Sequence, residues 1–268
     1  MENNGLRLDV WLVQNGYASG REKAKELIAA GYVRIDGVPV TKAARTLRPG
    51  EKPTCLAPAP KYVGRGGYKL EKALAEAELS LAGAVAMDVG SSTGGFTDCM
   101  LKAGAAHVYA VDVGHDQLHP TLRADSRVTV LEGTDVRSEA LAAAVPQGSI
   151  TFCSVDVSFV SLAHILPAVL PYLAAEATLV CLVKPQFEAG KTGIGKNGVV
   201  RDRKVHARVL AEQLTLFRRL GLGVTRLTHS PITGGEGNVE YLAVLSRREP
   251  GRVYAPADVV AAAFSELK

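Results

Sequence analysis

Five times between residues 84 and 184 the chain runs through a short, apolar, largely β-branched stretch and then meets a charged side chain. The stretches are "AVAMDVG", "HVYAVDVG", "RVTVLEG", "ITFCSVDV" and "ATLVCLVK". Runs this continuous, without polar alternation, belong to strands buried on both faces. Segments of helical apolar spacing lie between most of them, residues 94–103 among them, and another covers 205–220. Two further strand-like runs follow, "VTRLTHSP" and "VEYLAVLSR". Strands alternating with helices predict an α/β fold with a parallel sheet covered on both faces. In such a sheet ligands sit outside the carboxyl ends of the strands. The charges that end these strands are therefore the candidate site.

The first strand closes in "DVGSSTGGFTD", with Asp88, Gly90, and then Gly94 and Gly95 opening a helix. Glycines let backbone approach a ligand, and a helix N-terminus favours an anion. The spacing is neither G-x-G-x-x-G nor a Walker loop, and no basic residue waits here for phosphate. A carboxylate just before the glycines suits a cationic group, such as the ammonium and sulfonium of S-adenosylmethionine. Asp112 ends the second strand, where a carboxylate takes the ribose hydroxyls of a nucleoside. Asp135, in "TDVR", is placed to reach an adenine amine. Asp156 ends the fourth strand and Lys184 the fifth, so the two should face one crevice. Their pairing is either a buried ion pair holding the sheet top or a lysine set up for proton transfer. Pro185 limits how the chain leaves Lys184. Glu240 opens a late apolar strand, and Lys69 sits on a helix that precedes the first strand and can cross the sheet top.

The 268 residues are 47% apolar and 22% charged, a globular composition. Cys55, Cys99, Cys153 and Cys181 are widely spaced and read as reduced thiols of a cytoplasmic protein. The opening "MENNGLRLD" has no signal-peptide core. None of the six histidines has ligand spacing, and no metal is expected. Residues 164–183 are long and apolar, but they contain Pro167, Pro171 and Glu176. They predict a helix, a turn and a buried strand rather than a membrane span.

Charge is uneven. Residues 1–72 hold 13 Lys+Arg against 7 Asp+Glu, and the remainder holds 18 against 20. The first quarter thus suits a polyanion. Within it, "RLDVWLVQNGY" and "SGREKAKELIAAGYV" have helical spacing, with Ser19 as N-cap and Glu22 completing a capping box. Gly31 ends the second helix, and "VRIDGVPV" reads as a hairpin. Arg21, Lys23 and Lys25 cluster at the second helix start. Residues 49–60 carry four prolines and predict a stiff connector.

This first segment resembles the small RNA-binding domain named after ribosomal small-subunit protein S four, over most of residues 6–52. The motifs "YVGRGGYKL", "DVGSSTGGFTD", "VDVSFVSL", "LVKPQFEAGK" and "GNVEYL" resemble the TlyA family, whose catalytic domain is similar to that of the FtsJ/RrmJ RNA methyltransferases. The resemblance implies a Rossmann-like class I S-adenosylmethionine-dependent methyltransferase domain over 70–268. It also implies an S-four-type domain over 1–59, with residues 60–69 as linker and start of the catalytic domain. It implies a Lys-Asp-Lys-Glu tetrad at Lys69, Asp156, Lys184 and Glu240. It carries S-adenosylmethionine binding onto Asp88, Gly90, Ser92, Thr93, Gly94 and Gly95, with Asp112 at the ribose and Asp135 at the adenine.

The implied reaction is methylation of a ribose 2′-OH, a cytidine by family likeness, in ribosomal RNA or ribosomal subunits. A hydroxyl becomes a competent nucleophile when its proton is taken or shared. Lys184 would orient and deprotonate it, Asp156 and Glu240 would hold the lysine, and Lys69 would position the ribose. Arg7, Arg21, Lys23 and Lys25 are the expected RNA contacts, with Arg65 either a further contact or a helix cap. Residues 188–202, with four glycines and three basic residues, read as a closing or a passive loop. A base amino-methyltransferase is disfavoured by Lys184 and Glu240, which that chemistry does not use. A membrane-active hemolysin is disfavoured by the absence of a clean apolar span. A binding module without catalysis is disfavoured by the complete tetrad.

Overall fold

The computed structural model describes residues 5–18, 20–57, 60–190, 193, 195 and 198–267. The chain divides into two compact units, Met1–Lys61 and Tyr62–Lys268.

In the first unit, helices α1 (Leu8–Gln14) and α2 (Arg21–Ala29) cover a small antiparallel sheet. Its strands are β1 (Val33–Ile35), β2 (Val38–Pro39) and β3 (Pro53–Cys55), in the order β2-β1-β3. Leu8, Trp11 and Leu12 on one helix meet Ala24, Leu27 and Ile28 on the other, and Val33 and Leu47 complete the core. Asp36 and Gly37 both have positive φ, 50° and 82°, which matches the right-handed twist of a tight hairpin. Ser19 lies outside the described residues; the residue flanking α2 is Gly20, with extended backbone. The strand β3 was not expected. The proline-rich connector contributes it because Pro53, at an end of the ladder, can lie on an edge strand.

The second unit holds a seven-stranded sheet. Its strands are β4 (Val85–Val89), β5 (His107–Val111), β6 (Val128–Leu131), β7 (Ile150–Val155), β8 (Leu173–Val183), β9 (Gly223–His229) and β10 (Tyr241–Ser246), in the order β6-β5-β4-β7-β8-β10-β9. Helices α3 (Gly66–Glu76), α4 (Gly95–Lys102), α5 (Pro120–Arg123), α6 (Glu139–Ala144), α7 (Leu162–Val169), α8 (Pro185–Glu188), α9 (Arg203–Arg219) and α10 (Pro256–Glu266) accompany it. One apolar layer joins Leu70, Leu74, Phe96 and Met100 to the sheet. The other joins Ile165, Leu166, Val209 and Phe217. The long apolar stretch 164–183 is α7, a 3₁₀ turn at Leu170–Tyr172 and β8. Among the described residues no helix is long and apolar enough to cross a membrane.

The expected parallel sheet is mixed. Strand β10 runs antiparallel to both β8 and β9. Residues 230–240, between β9 and β10, contain no helix that would carry the chain back to the starting edge. The reversal matters for chemistry, because it brings the start of β10 to the end of the sheet where the parallel strands finish. The segment expected to link the units is divided, with Tyr62–Lys69 in the second: Tyr62 is buried there and α3 already begins at Gly66.

Candidate active site

Glycine dictates how β4 leaves the sheet. Gly90 has φ +85°, and a Cβ there would stand 2.4 Å from the Asp156 carbonyl oxygen. Only a residue without a side chain lets the first loop lie against the tip of β7. Gly94, at φ +93°, is closed in by Leu118 and Leu122. A Cβ on Gly95 would meet the backbone of Gly64, Gly66 and Gly67 at 2.9–3.1 Å. The "GRGG" and "TGG" segments therefore pack backbone on backbone, a use of Gly95 that the sequence reading did not foresee. Ser92 and Thr93 are exposed at the loop tip. Ser91 is buried, and its hydroxyl has no hydrogen-bond partner. This missed residue supplies an orphaned, buried polar atom within the glycine loop. That is a fit for the polar end of an S-adenosylmethionine molecule.

Asp88 lies near the end of β4. Its carboxylate is fully buried and accepts hydrogen bonds of 2.7 Å from both the Thr97 and the Ser154 hydroxyls. Burial pushes its pKa up to about 6, against the pull of those hydroxyls. Asp88 ties β4 to β7 and α4 beneath the loop, with its surface fully buried in this structure. Asp112 accepts from the Ser92 amide at 2.8 Å and the Gly114 amide at 2.7 Å, so it shapes the loop while remaining partly exposed. Asp135 is gripped by Arg137 through two guanidinium nitrogens, Nη2 at 2.6 Å and Nε at 2.8 Å, and these bonds hold its carboxyl well below the usual range. The pair is exposed, and such pairs separate at little cost.

The four expected catalytic residues form two ion pairs. Lys184, 8% exposed, reaches Asp156 at 2.6 Å and donates to the Ser158 hydroxyl at 3.0 Å. Lys69, also 8% exposed, pairs with the 3%-exposed Glu240 at 2.6 Å. Glu240 thus holds Lys69 rather than Lys184. The two pairs are neighbours nonetheless: Val183 and Tyr241 are ladder partners, and Lys184 and Glu240 lie one residue beyond them at the same end. Gln186 spans the gap with a long 3.5 Å hydrogen bond to Glu240. A Cβ on Gly234 would stand 2.6 Å from the Glu240 carboxylate, so that glycine leaves room for it. Arg65 donates to the Thr233 carbonyl at 2.6 Å, which secures the loop ahead of Glu240.

Sequence reasoning also missed Phe159. It is 90% exposed, has φ +64°, and its ring lies 4.9 Å from that of Phe187. A bulky side chain in left-handed backbone is strained, and such strain persists where surroundings enforce it. The signal available was an aromatic three residues past a polar strand tip, too common to single out. Of the loop expected at 188–202, residues 191, 192, 194, 196 and 197 lie outside the described residues. Its far end is stitched to Asn238, which accepts from the Val200 amide and donates to the Gly198 carbonyl.

In the first unit, Asp9 is fully buried and takes both Arg7, at 2.8 Å, and Arg21, at 3.0 Å. The Arg7 hydrogen bonds lead in holding its carboxyl far below the usual range. Two outward arginines are thereby fixed side by side. Lys23 and Lys25 are paired instead with Glu26 and Glu22 on their own helix.

Both units match known protein families. The FtsJ-like methyltransferase family model matches residues 62–247, and the S4 domain model matches residues 6–52. YqxC of Bacillus subtilis, named among the rRNA methyltransferases, is 48% identical over 90% of this chain and 86% of its own. The 16S/23S rRNA (cytidine-2′-O)-methyltransferase TlyA of Mycobacterium tuberculosis is 42% identical over 88% and 87%. A solved Streptococcus thermophilus structure carrying a hemolysin name covers 98% of this chain and 97% of its own, with TM-score 0.76 and 40% identity. Two paired lysine–carboxylate contacts at the strand ends, a glycine cradle beside them and these matches together make the chain a member of the TlyA family of FtsJ-like methyltransferases, with an N-terminal S4 domain.

Proposed function

We propose that this protein transfers a methyl group from S-adenosylmethionine to the 2′-oxygen of a cytidine ribose in ribosomal RNA, and so works in the cytoplasm where ribosomes are. The observation that carries the reading is Lys184, held at the tip of β8 by Asp156 and Ser158, with the Lys69–Glu240 pair one register step away. The names of the relatives support the substrate. The cofactor supplies an electrophilic methyl group on a sulfonium. Gly90, Ser91, Ser92, Thr93, Gly94 and Gly95 would hold its amino-acid end, Asp112 its ribose, and Asp135 its adenine once Arg137 is displaced.

Lys184 has the geometry of an orienting group. Two of its contacts are fixed, to Asp156 and Ser158, which leaves its remaining direction for the 2′-hydroxyl. As a neutral amine it would keep two N–H donors for Asp156 and Ser158 and a lone pair that takes the hydroxyl proton as the methyl group is transferred. Lys69 steadies charge developing on that oxygen and stays in place because Glu240 neutralises it. Phe159 offers an exposed ring on which a nucleobase can stack. Arg7 and Arg21 would contact phosphates, which gives register without sequence readout.

The test is tritium transfer from labelled S-adenosylmethionine to purified ribosomal subunits, with the nucleoside identified by mass spectrometry. Label should appear in a 2′-O-methylated nucleoside and fall about 10²–10⁴-fold with Lys184→Ala. Label on a base would overturn the reading.

A further inference from the structure

The strand tips that carry Asp156 and Lys184 are joined at more points than their ion pair. Lys184 meets Asp156 and Ser158, and Phe187 packs on Phe159. Glu188 then takes three donors: the Ser161 hydroxyl at 2.6 Å, the Leu162 amide at 2.9 Å and the Gln213 side-chain amide at 2.9 Å. Ser161 is the N-cap of α7 and Leu162 its first residue. A carboxylate at that place satisfies an otherwise orphaned helix amide and complements the helix dipole. The segment 156–162 is therefore pinned on both sides of Phe159, by Lys184 before it and by Glu188 after it. Between the pins sits the strained left-handed residue. Gln213 is 6% exposed on α9, so the clamp is anchored to the apolar layer beneath.

We propose that Glu188 is a positioning residue for methyl transfer: its carboxylate clamps the start of α7 and so keeps the Phe159 turn and Asp156 registered on Lys184. The Glu188 carboxylate is hydrogen-bonded to Ser161, Leu162 and Gln213 and not to Lys184 or the glycine loop. Its influence runs through the loop that carries Asp156 and Ser158. The inference rests on the catalytic reading of Lys184 given above.

The variants are Glu188→Gln, which keeps one acceptor but sets its amide against that of Gln213, and Ser161→Ala, which removes one donor of three. Full-length protein is assayed for methyl transfer to ribosomal subunits with both substrates varied. Glu188→Gln should lower kcat at least tenfold while KM for S-adenosylmethionine stays within twofold, and Ser161→Ala should give a smaller loss in kcat. Wild-type kcat in Glu188→Gln would overturn the proposal, as would a loss confined to KM. A second readout needs no substrate. Glycine accepts positive φ freely, so in a Phe159→Gly background the Tm loss caused by Glu188→Ala should shrink. An equal loss in both backgrounds would show that Glu188 does not sustain the turn and would overturn the proposal. If the wild type transfers nothing to ribosomal RNA, the proposed substrate fails, and the Tm comparison alone decides the clamp.

Discussion

Asp88 shows how much a single residue's surroundings decide. Its position at a strand end and its charge were legible, because an acid that ends an apolar run has few other reasons to be there. Its partners were not, since Thr97 and Ser154 reach it only through packing. The raised pKa has a consequence with a definite sign. A carboxyl whose folded value is about 6, against about 4 unfolded, binds its proton more tightly in the folded state. Stability is therefore lost as pH rises from 4 to 6, on the order of 3 kcal/mol, and the penalty persists above that. Asp88→Asn can keep hydrogen bonds to both hydroxyls without the charge. Its Tm should exceed that of the wild type at pH 8, and the difference should vanish near pH 4, as thermal unfolding across that range would show. The pairing of Arg7 and Arg21 through Asp9 was hidden for the same reason: a carboxylate two residues from one arginine and twelve from the other is unremarkable until the helices pack.

Among elements, the strands were read well and their directions incompletely. An apolar run announces burial but not polarity, so β10 passed for another parallel strand. Its reversal explains why Glu240, which precedes its strand, shares a crevice with residues that follow theirs. The loop after β4 is the element whose geometry is most constrained. Gly90→Ala would combine a left-handed φ with a clash against the Asp156 carbonyl, and should cost about 3 kcal/mol in urea unfolding. Gly83→Ala has a comparable φ of +74° but no atom within 4 Å, and should cost about 1 kcal/mol. Equal losses would mean that the backbone conformation, not the close approach to β7, sets the requirement at Gly90.

At the scale of the molecule, charge and chemistry are separated. Residues 1–61 hold ten Lys+Arg and six Asp+Glu, whereas residues 62–268 hold 21 of each. The net +4 of the chain is thus the charge of the first unit, and the catalytic unit is neutral. Under the proposed RNA contacts, binding should weaken with salt chiefly through that unit. Replacing Arg7 and Arg21 by alanine should reduce the slope of log K against log salt by about 2, measured by filter binding to ribosomal RNA. An unchanged slope would remove those arginines from the interface. The division into two units was visible in the proline-rich stretch, but its exact place was not, because Tyr62 and the "GRGG" turn belong by packing to the fold that follows them.

The sheet order also departs from the chain order. Strand β9 precedes β10 in sequence, yet it lies outside β10 and pairs with it alone. In the finished sheet β10 lies between β9 and β8, and Glu240 just ahead of it supplies the counter-charge of Lys69, so the last strand in sequence both closes the sheet and completes that ion pair.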